Sequence, residues 1–341
     1  MGSDRLAGVE AWYRHRHRRA EAASVTVTLE AAPVAQGYSN ELLFLRVQGE
    51  SHEEALVVRC EPTGPPLFPA YDLGMQVAVQ EVAGAGGVPV AGPIVFEDDT
   101  SWLGCRFLVM PWVPGRHPGE VPTECGWLMA SSVDDQRLVH TSFLDALAAI
   151  HRLPWAGTGI ATQLRGADGR LGDELRWWED YAVWACAPGS ADALLELFAW
   201  CRRHLPTTEP PRSLLWGDVR LGNVVFDERC RPAAVLDWEM ATIGPAESDL
   251  AWFTALSGLT ERFFGTRVPG FLDRDEVVAH HERALGRPLL DMAWHEVFAM
   301  ARAATVSVRT QIVDALAAGT PAPDPAAHPV VRYIARYVER L

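Results

Sequence analysis

Asp218 and Asn223 sit together in Trp216-Gly217-Asp218-Val219-Arg220-Leu221-Gly222-Asn223, directly after the apolar run Ser213-Leu214-Leu215. A second apolar run, Ala233-Ala234-Val235-Leu236, delivers Asp237 at its end. A carboxylate and an amide on one loop, with a further carboxylate at the end of a strand, are the groups that phosphoryl transfer needs. One carboxylate orients and deprotonates an acceptor hydroxyl, while the amide oxygen and the second carboxylate hold Mg²⁺ on the phosphates of a nucleotide. Two carboxylates alone would repel a polyphosphate, so the metal belongs to the same logic. Any one of the three residues by itself reads as a turn cap or a strand end. Together they form a reactive set: Asp218 as the base, Asn223 and Asp237 as metal ligands.

These loops need a framework, and the pattern along the chain supplies two. Residues 25–29, 42–47 and 55–59 alternate or run apolar, which predicts a β-meander, with a turn at Gln36-Gly37-Tyr38-Ser39-Asn40. Residues 71–83 carry helical spacing up to Gly84, and 105–110 read as a last buried strand. Residues 1–20 read as a polar helix whose Arg/His run faces solvent. The Pro/Gly-rich segment 111–115 is a hinge by composition. Beyond it the pattern is mainly helical, at 138–151, 174–184, 191–204, 249–256, 274–285, 292–316 and 328–341. The loop–strand–loop segment 214–245 interrupts these helices and carries the reactive residues. The fold class is therefore α+β and bilobal. Residues 1–110 form a small β-rich N-lobe, 111–115 the hinge and 116–341 a larger helical C-lobe, with the ligand in the cleft between them.

Composition narrows the partners. With 341 residues, 48% of them apolar, the chain can bury a core in each lobe. A net charge of −14 argues against nucleic acid as a partner. It suits a cationic small molecule or plain solubility. All 30 basic residues are Arg, so any role that needs a Lys must fall to an Arg. No apolar run is long enough to span a membrane and the N-terminus lacks a signal-peptide core, which predicts no membrane partner. The six Cys are dispersed without zinc spacing, as free thiols in a reducing compartment would be, and point to the cytoplasm. His280-His281 is an adjacent pair on different helix faces, unsuited to a shared metal. Neither HExxH nor GxSxG occurs, which removes the metalloprotease and serine-hydrolase readings.

The C-lobe motifs resemble the aminoglycoside phosphotransferase and choline-kinase-like superfamily, a branch of the protein-kinase fold. The likeness rests on Trp216 to Asn223, on Leu236-Asp237-Trp238-Glu239-Met240-Ala241-Thr242-Ile243-Gly244, and on Ser248-Asp249-Leu250-Ala251-Trp252. It is closest to the branch of antibiotic kinases and acyl-CoA-dehydrogenase-associated kinase domains. The resemblance implies a Mg²⁺-dependent small-molecule kinase that uses ATP or GTP, with Asp218 catalytic, Asn223 and Asp237 on the metal, and Asp249 bracing the catalytic loop. Asp249 reads equally as a helix N-cap. The family His ahead of Gly-Asp is Trp216 here, and a Trp cannot make both imidazole hydrogen bonds.

In the N-lobe the same resemblance places Gly37, Ser39 and Asn40 in a phosphate-covering turn and Arg59 where kinases keep a nucleotide-binding Lys. Met110 and Trp112 fall at the hinge whose backbone reads the nucleobase. The helix Glu that normally pairs with the Lys is absent, and Gln76 stands near its position, able to hydrogen-bond Arg59. Glu239 either faces substrate or packs with Arg220.

Trp127, Trp177, Trp178, Tyr181 and Trp184, with Glu174, Glu179, Asp180, Glu247 and Glu261, are candidates for an aromatic and acidic acceptor pocket; core packing is the plainer reading of each. The acceptor is a small-molecule hydroxyl, first an antibiotic or related natural product. A hydroxyacyl-CoA is the alternative, for which Arg262, Arg267 and Arg274 would supply a basic entrance. A nucleotide-binding pseudokinase is the non-catalytic alternative. The protein would act as a monomer or homodimer.

Overall fold

The computed structural model describes residues 2–17, 26–30, 41–49, 53–166, 170–265 and 267–341. The alternating N-terminal segments pair into one antiparallel sheet. Strands β1 (Thr26–Glu30), β2 (Glu41–Gln48), β3 (Glu53–Cys60), β4 (Val95–Glu97) and β5 (Phe107–Pro111) lie in the order β1-β2-β3-β5-β4. β3 is central, and Arg59 is flanked by Leu42 on β2 and Leu108 on β5. Helix α1 (Gly2–His17) buries Val9, Trp12 and Tyr13 against this sheet and leaves Arg14 to His17 exposed, as the polar run predicts. The Trp12 ring meets Phe107 edge-on at 5.5 Å, and its indole N–H donates to Glu97.

Helix α2 (Leu73–Ala85) starts at an Asp72 cap on the Met75 N–H and runs one residue past Gly84 before Gly86 caps it. Its buried Val79 and Ala83, with Leu67 and Phe68, join the core of the C-lobe rather than the core under the sheet. Apolar packing is therefore continuous between α2 and the helical lobe.

The C-lobe helices are α3 (Gly126–Ala130), α4 (Val133–His151), α5 (Leu171–Ala185), α6 (Asp192–Arg203), α7 (Ala246–Phe264), α8 (Arg274–Leu285), α9 (Met292–Ala318) and α10 (Pro329–Val338). Between α6 and α7 lie two short antiparallel pairs: β6 (Arg212–Leu215) with β9 (Thr242–Pro245), and β7 (Val224–Phe226) with β8 (Pro232–Val235). They hold loops 216–223 and 236–241 side by side. Strand β9 has no sequence signal of its own, because its residues include Gly244 and Pro245; its partner β6 makes it a strand.

Two backbone seams flank the junction of the lobes, the first within the C-lobe just past the hinge and the second between the lobes. Arg116 and Phe226 exchange N–H···O bonds of 2.8 and 2.9 Å, and the Val235 N–H donates to the Pro89 carbonyl at 2.8 Å. Among the described residues no helix is long and apolar enough to cross a membrane.

Candidate active site

Strand β6 ends at Leu215 and the chain turns through Gly217, whose φ is +91°. A Cβ there would stand 2.2 Å from the Met240 carbonyl oxygen, so only glycine lets the two loops touch. The turn sets Asp218 in a buried position. Its Oδ2 accepts from Arg220 Nε (2.9 Å) and Nη2 (2.6 Å) and from Asn223 Nδ2 (2.8 Å). Its Oδ1 accepts from the Trp252 indole at 3.2 Å. Four N–H groups thus fix one carboxylate, two of them from a single guanidinium. Burial alone would lower the Arg220 pKa, but Asp218 and Glu120 more than offset it and hold the cation above its ordinary range.

Asn223 closes a 3₁₀ turn and donates a second time, to the Asp218 carbonyl at 3.0 Å. Its amide nitrogen is thereby committed to Asp218, which leaves Oδ1 as the atom for a cation. The Leu236 N–H donates to the Asn223 carbonyl at 2.8 Å and brings Asp237 against the same loop. Asp237 itself is left-handed, at φ +58°. That conformation costs about 1 kcal/mol in a non-glycine residue.

The Trp216 indole secures it, donating to the carbonyls of Leu236 (2.8 Å) and Asp237 (3.0 Å). Trp216 thus supplies one ring N–H where an imidazole has two nitrogens, and its buried ring packs between Phe143 and Trp238.

Asp249 braces the loop from below. It accepts from the N–H groups of Trp216 (2.8 Å) and Gly217 (3.0 Å) and meets His151 at 3.1 Å. It is not an N-cap: α7 begins at Ala246, so Asp249 lies within the first turn. His151 in turn meets His281 at 2.9 Å, and His280 meets Asp145, so the adjacent histidines serve separate contacts. Burial drives the His281 pKa down to about 2.

Arg59 reaches across from β3. Its Nη2 donates to Asp237 Oδ1 and to Glu239 Oε2, both at 2.8 Å. Burial alone would lower its pKa, but the two carboxylates raise it. This corrects two expectations. Glu239 takes Arg59, not Arg220, whose partners are Asp218 and Glu120. Gln76 is buried with an Oε1 that has no partner among the described residues, and it is not what holds Arg59. A carboxylate offsets the burial of a guanidinium better than an amide does; α2 offers an amide at that point, while the loop after Asp237 offers Glu239.

The residues fit Mg²⁺. Asn223 Oδ1 and the Asp237 carboxylate are hard oxygen donors, and the Asp237 side chain keeps 23% of its surface accessible. Among the described residues no group of three or more His, Cys, Asp or Glu could cage a metal alone. A Mg²⁺ here would draw its other ligands from phosphate and water.

Gly37, Ser39 and Asn40 lie outside the described residues. Met110 is the penultimate residue of β5, half-buried against Ala91, Val225 and Ala234. The Trp112 N–H donates to the Ala55 carbonyl at 2.8 Å, so that donor is already used within the sheet. No local signal marks Trp252 as a partner of Asp218, although it stands inside the motif stretch Asp249-Leu250-Ala251-Trp252.

A cavity of about 600 Å³ opens beside Arg220, bounded by residues 119–123, α7, the start of α8 and α10. Its floor is apolar, with Phe253, Leu256, Leu259, Val268, Phe271 and Met300, and its rim carries Arg220, Arg267, Glu120 and Glu261. The expected aromatic and acidic pocket does not assemble here. Trp178 and Tyr181 are core residues, Glu247 is buried on Arg287, Glu179 pairs with Arg202, and only Glu261 of that set lines the cavity.

Comparison with known proteins bears on the family and the fold. The model of the phosphotransferase enzyme family matches residues 30–289. Acyl-CoA dehydrogenase family member 11 of Homo sapiens is 32% identical over 249 residues, 71% of this chain but 30% of that protein. Its mouse counterpart is 29% identical over 253 residues, again 30% of its length. The chain thus spans about a third of these curated relatives. Among solved structures, a Ralstonia eutropha protein provisionally described as an aminoglycoside phosphotransferase superposes with a TM-score of 0.70 at 20% identity, covering 98% of both chains. The aminoglycoside phosphotransferase APH(4)-Ia follows at 0.59, with 15% identity and the same coverage. At these identities the structures speak for the bilobal kinase-like fold alone.

Proposed function

This chain belongs to the phosphotransferase enzyme family, and we propose that it transfers the γ-phosphoryl group of ATP or GTP to a hydroxyl of a small molecule. The observation that carries this reading is Asp218, fixed by Arg220, Asn223 and Trp252 on a loop bonded to the segment that carries Asp237. Asp218 accepts the acceptor's hydroxyl proton as the acceptor oxygen bonds to the γ-phosphorus. The bond from that phosphorus to the β,γ-bridging oxygen breaks, and the nucleoside diphosphate leaves with its electron pair. Arg220 holds the carboxylate in line and faces the charge that develops on the transferred group. Mg²⁺ held by Asn223 and Asp237 would neutralise phosphate charge. Arg59 meets the nucleotide phosphates while Glu239 keeps hold of it, which frees Asp237 from their shared contact.

Carboxylates and amides in these positions support catalysis over a pseudokinase, as does the indole bond with which Trp216 anchors Asp237.

For the acceptor, the apolar floor of the cavity beside Arg220 favours a hydroxyl on an apolar body. A hydroxyacyl-CoA fits that floor, with Arg267 at the rim for its charged portion. A polycationic aminoglycoside does not. An apolar hydroxylated antibiotic or natural product is the second reading, supported by the net charge of −14, which disfavours a polyanionic thioester. Thermal melting with ATP or GTP, with and without Mg²⁺, tests the donor site. A Mg²⁺-dependent stabilisation present in the wild type and lost in Asp237→Asn is expected; no stabilisation by either nucleotide would overturn the proposal.

A further inference from the structure

We propose that a second, smaller cavity of about 150 Å³, between α5, β9 and α9, is a binding site for a compact oxyanion, a carboxylate or a phosphate group, with Arg302 as its cation. Arg302 projects from α9 and is 94% buried, being 6% exposed. Its guanidinium is held by ring faces rather than by carboxylates: Trp252 at 4.7 Å, Trp178 at 4.8 Å and Phe298 at 5.6 Å. Its Nε has no hydrogen-bond partner, and no ion pair joins it to a carboxylate among the described residues.

The other buried or half-buried charges around the cavity are already matched, and the Arg170 guanidinium is solvated at its edge. Arg165 pairs with Glu174 at 2.6 Å, and Glu174 also accepts from the Trp178 indole at 3.0 Å. Arg212 holds the Gly166 carbonyl and faces Glu209. Asp173 accepts from the Arg170 N–H, and Asp249 serves the catalytic loop and His151. Arg302 is thus the one buried charged side chain lining this cavity, among the described residues, with donors and no acceptor; the Arg170 guanidinium is exposed to solvent. Aromatic faces offset part of the cost of burying a cation and leave its N–H donors unmet. Burial lowers its pKa to about 10, so it still carries its charge at neutral pH.

The site touches the chemistry without being part of the nucleotide site. The Trp252 ring that covers Arg302 donates its indole N–H to Asp218, and Gly217 of the catalytic loop lines the same cavity. An oxyanion on Arg302 would therefore settle the Trp252 ring and with it the Asp218 carboxylate. The inference stands on Arg302 and its cavity and does not depend on which acceptor is phosphorylated.

The test is thermal melting of the full chain in EDTA, with inorganic phosphate or acetate against chloride at equal ionic strength. Wild type is expected to gain roughly 2–4 °C with saturating phosphate. Arg302→Met, which keeps the stem between the rings and removes the charge, is expected to gain nothing. Arg59→Met controls for phosphate in the nucleotide site and should respond like wild type. A gain with acetate as well assigns a carboxylate-bearing ligand, and a gain with phosphate alone assigns a phosphate. Retention of the phosphate gain in Arg302→Met, or its loss in Arg59→Met, would overturn the proposal. Should either variant not fold, wild-type crystals soaked in selenate decide: an anomalous peak beside Arg302 supports the site and its absence refutes it. Failure here would leave the Mg²⁺-nucleotide stabilisation untouched, so the two readings fail separately.

Discussion

Trp216→Phe isolates the bond that this chain uses in place of an imidazole. The variant keeps an aromatic ring between Phe143 and Trp238 but removes the N–H shared by the carbonyls of Leu236 and Asp237. Leaving those buried acceptors without their donor costs about 1–2 kcal/mol. The lost ring atoms, at a site only 1% exposed, add about 1–2 kcal/mol of transfer and cavity cost. The sum, about 2–4 kcal/mol, lowers Tm by roughly 5–10 °C at the few degrees per kcal/mol typical of larger domains.

The effect on function is more specific. Asp237 sits at φ +58°, and the indole is what holds its carbonyl there. Once released, it relaxes towards ordinary backbone, and Mg²⁺-nucleotide affinity falls about tenfold, as the loss of roughly 1.4 kcal/mol of pre-organisation requires. Differential scanning fluorimetry gives the stability term, and calorimetric titration of the Mg²⁺-nucleotide gives the other. Trp216→His, which restores a ring N–H, should recover most of the affinity and less of the stability. A Trp216→Phe protein that melts lower yet binds Mg²⁺-nucleotide like wild type would refute the reasoning and make Trp216 a packing residue.

Other outcomes follow from the same contacts. Asp218→Asn should lower kcat by about 10²–10⁴ while leaving the nucleotide-induced rise in Tm intact, since the change removes the base and not the phosphate ligands. Glu239→Gln should raise the KM for the Mg²⁺-nucleotide about tenfold with a smaller change in kcat, because Arg59 keeps only Asp237, which the metal needs. Stability should fall in mild acid. Burial pushes His295 to about 4, His140 to about 3 and His281 to about 2, so all three stay neutral in the folded state while the unfolded chain takes up protons below about 6.5. Their contribution is complete above that value and is lost as pH falls, at a rate approaching 4 kcal/mol per pH unit for three protons. Urea titrations from pH 7 to pH 5 read that slope, and a flat profile would contradict it.

Local signals in the sequence went far at the chemistry and less far where contacts are remote. The motif around Asp218 and Asn223 was legible because one short loop holds both residues, and Asp237 because an apolar strand of ordinary pattern delivers it. The meander and most helices follow from period 2 and period 3.6. Helix α7 begins earlier than its apolar spacing suggests, because Pro245 and Ala246 start it before the stripe does, and it continues to a left-handed Gly265. The partner of Glu239 could not be read locally: Arg59 lies on another lobe, whereas Arg220 is near in sequence and wrong. Gln76 misled for the same reason, since a residue standing at a familiar position says nothing about which carboxylate the fold brings to Arg59. Nor does one residue of α9 announce that three rings from three helices close around Arg302.

Phosphoryl transfer that depends on Asp218 is the central expectation for this protein. The direct measurement is mass spectrometry of a panel of hydroxyacyl-CoA thioesters, apolar hydroxylated antibiotics and aminoglycosides, incubated with Mg²⁺ and ATP or GTP and with wild type or Asp218→Ala. A phosphorylated product is expected from an acceptor with an apolar body, formed by the wild type and absent with the variant. Equal product from both proteins, or wild-type phosphorylation confined to the aminoglycosides, would contradict it.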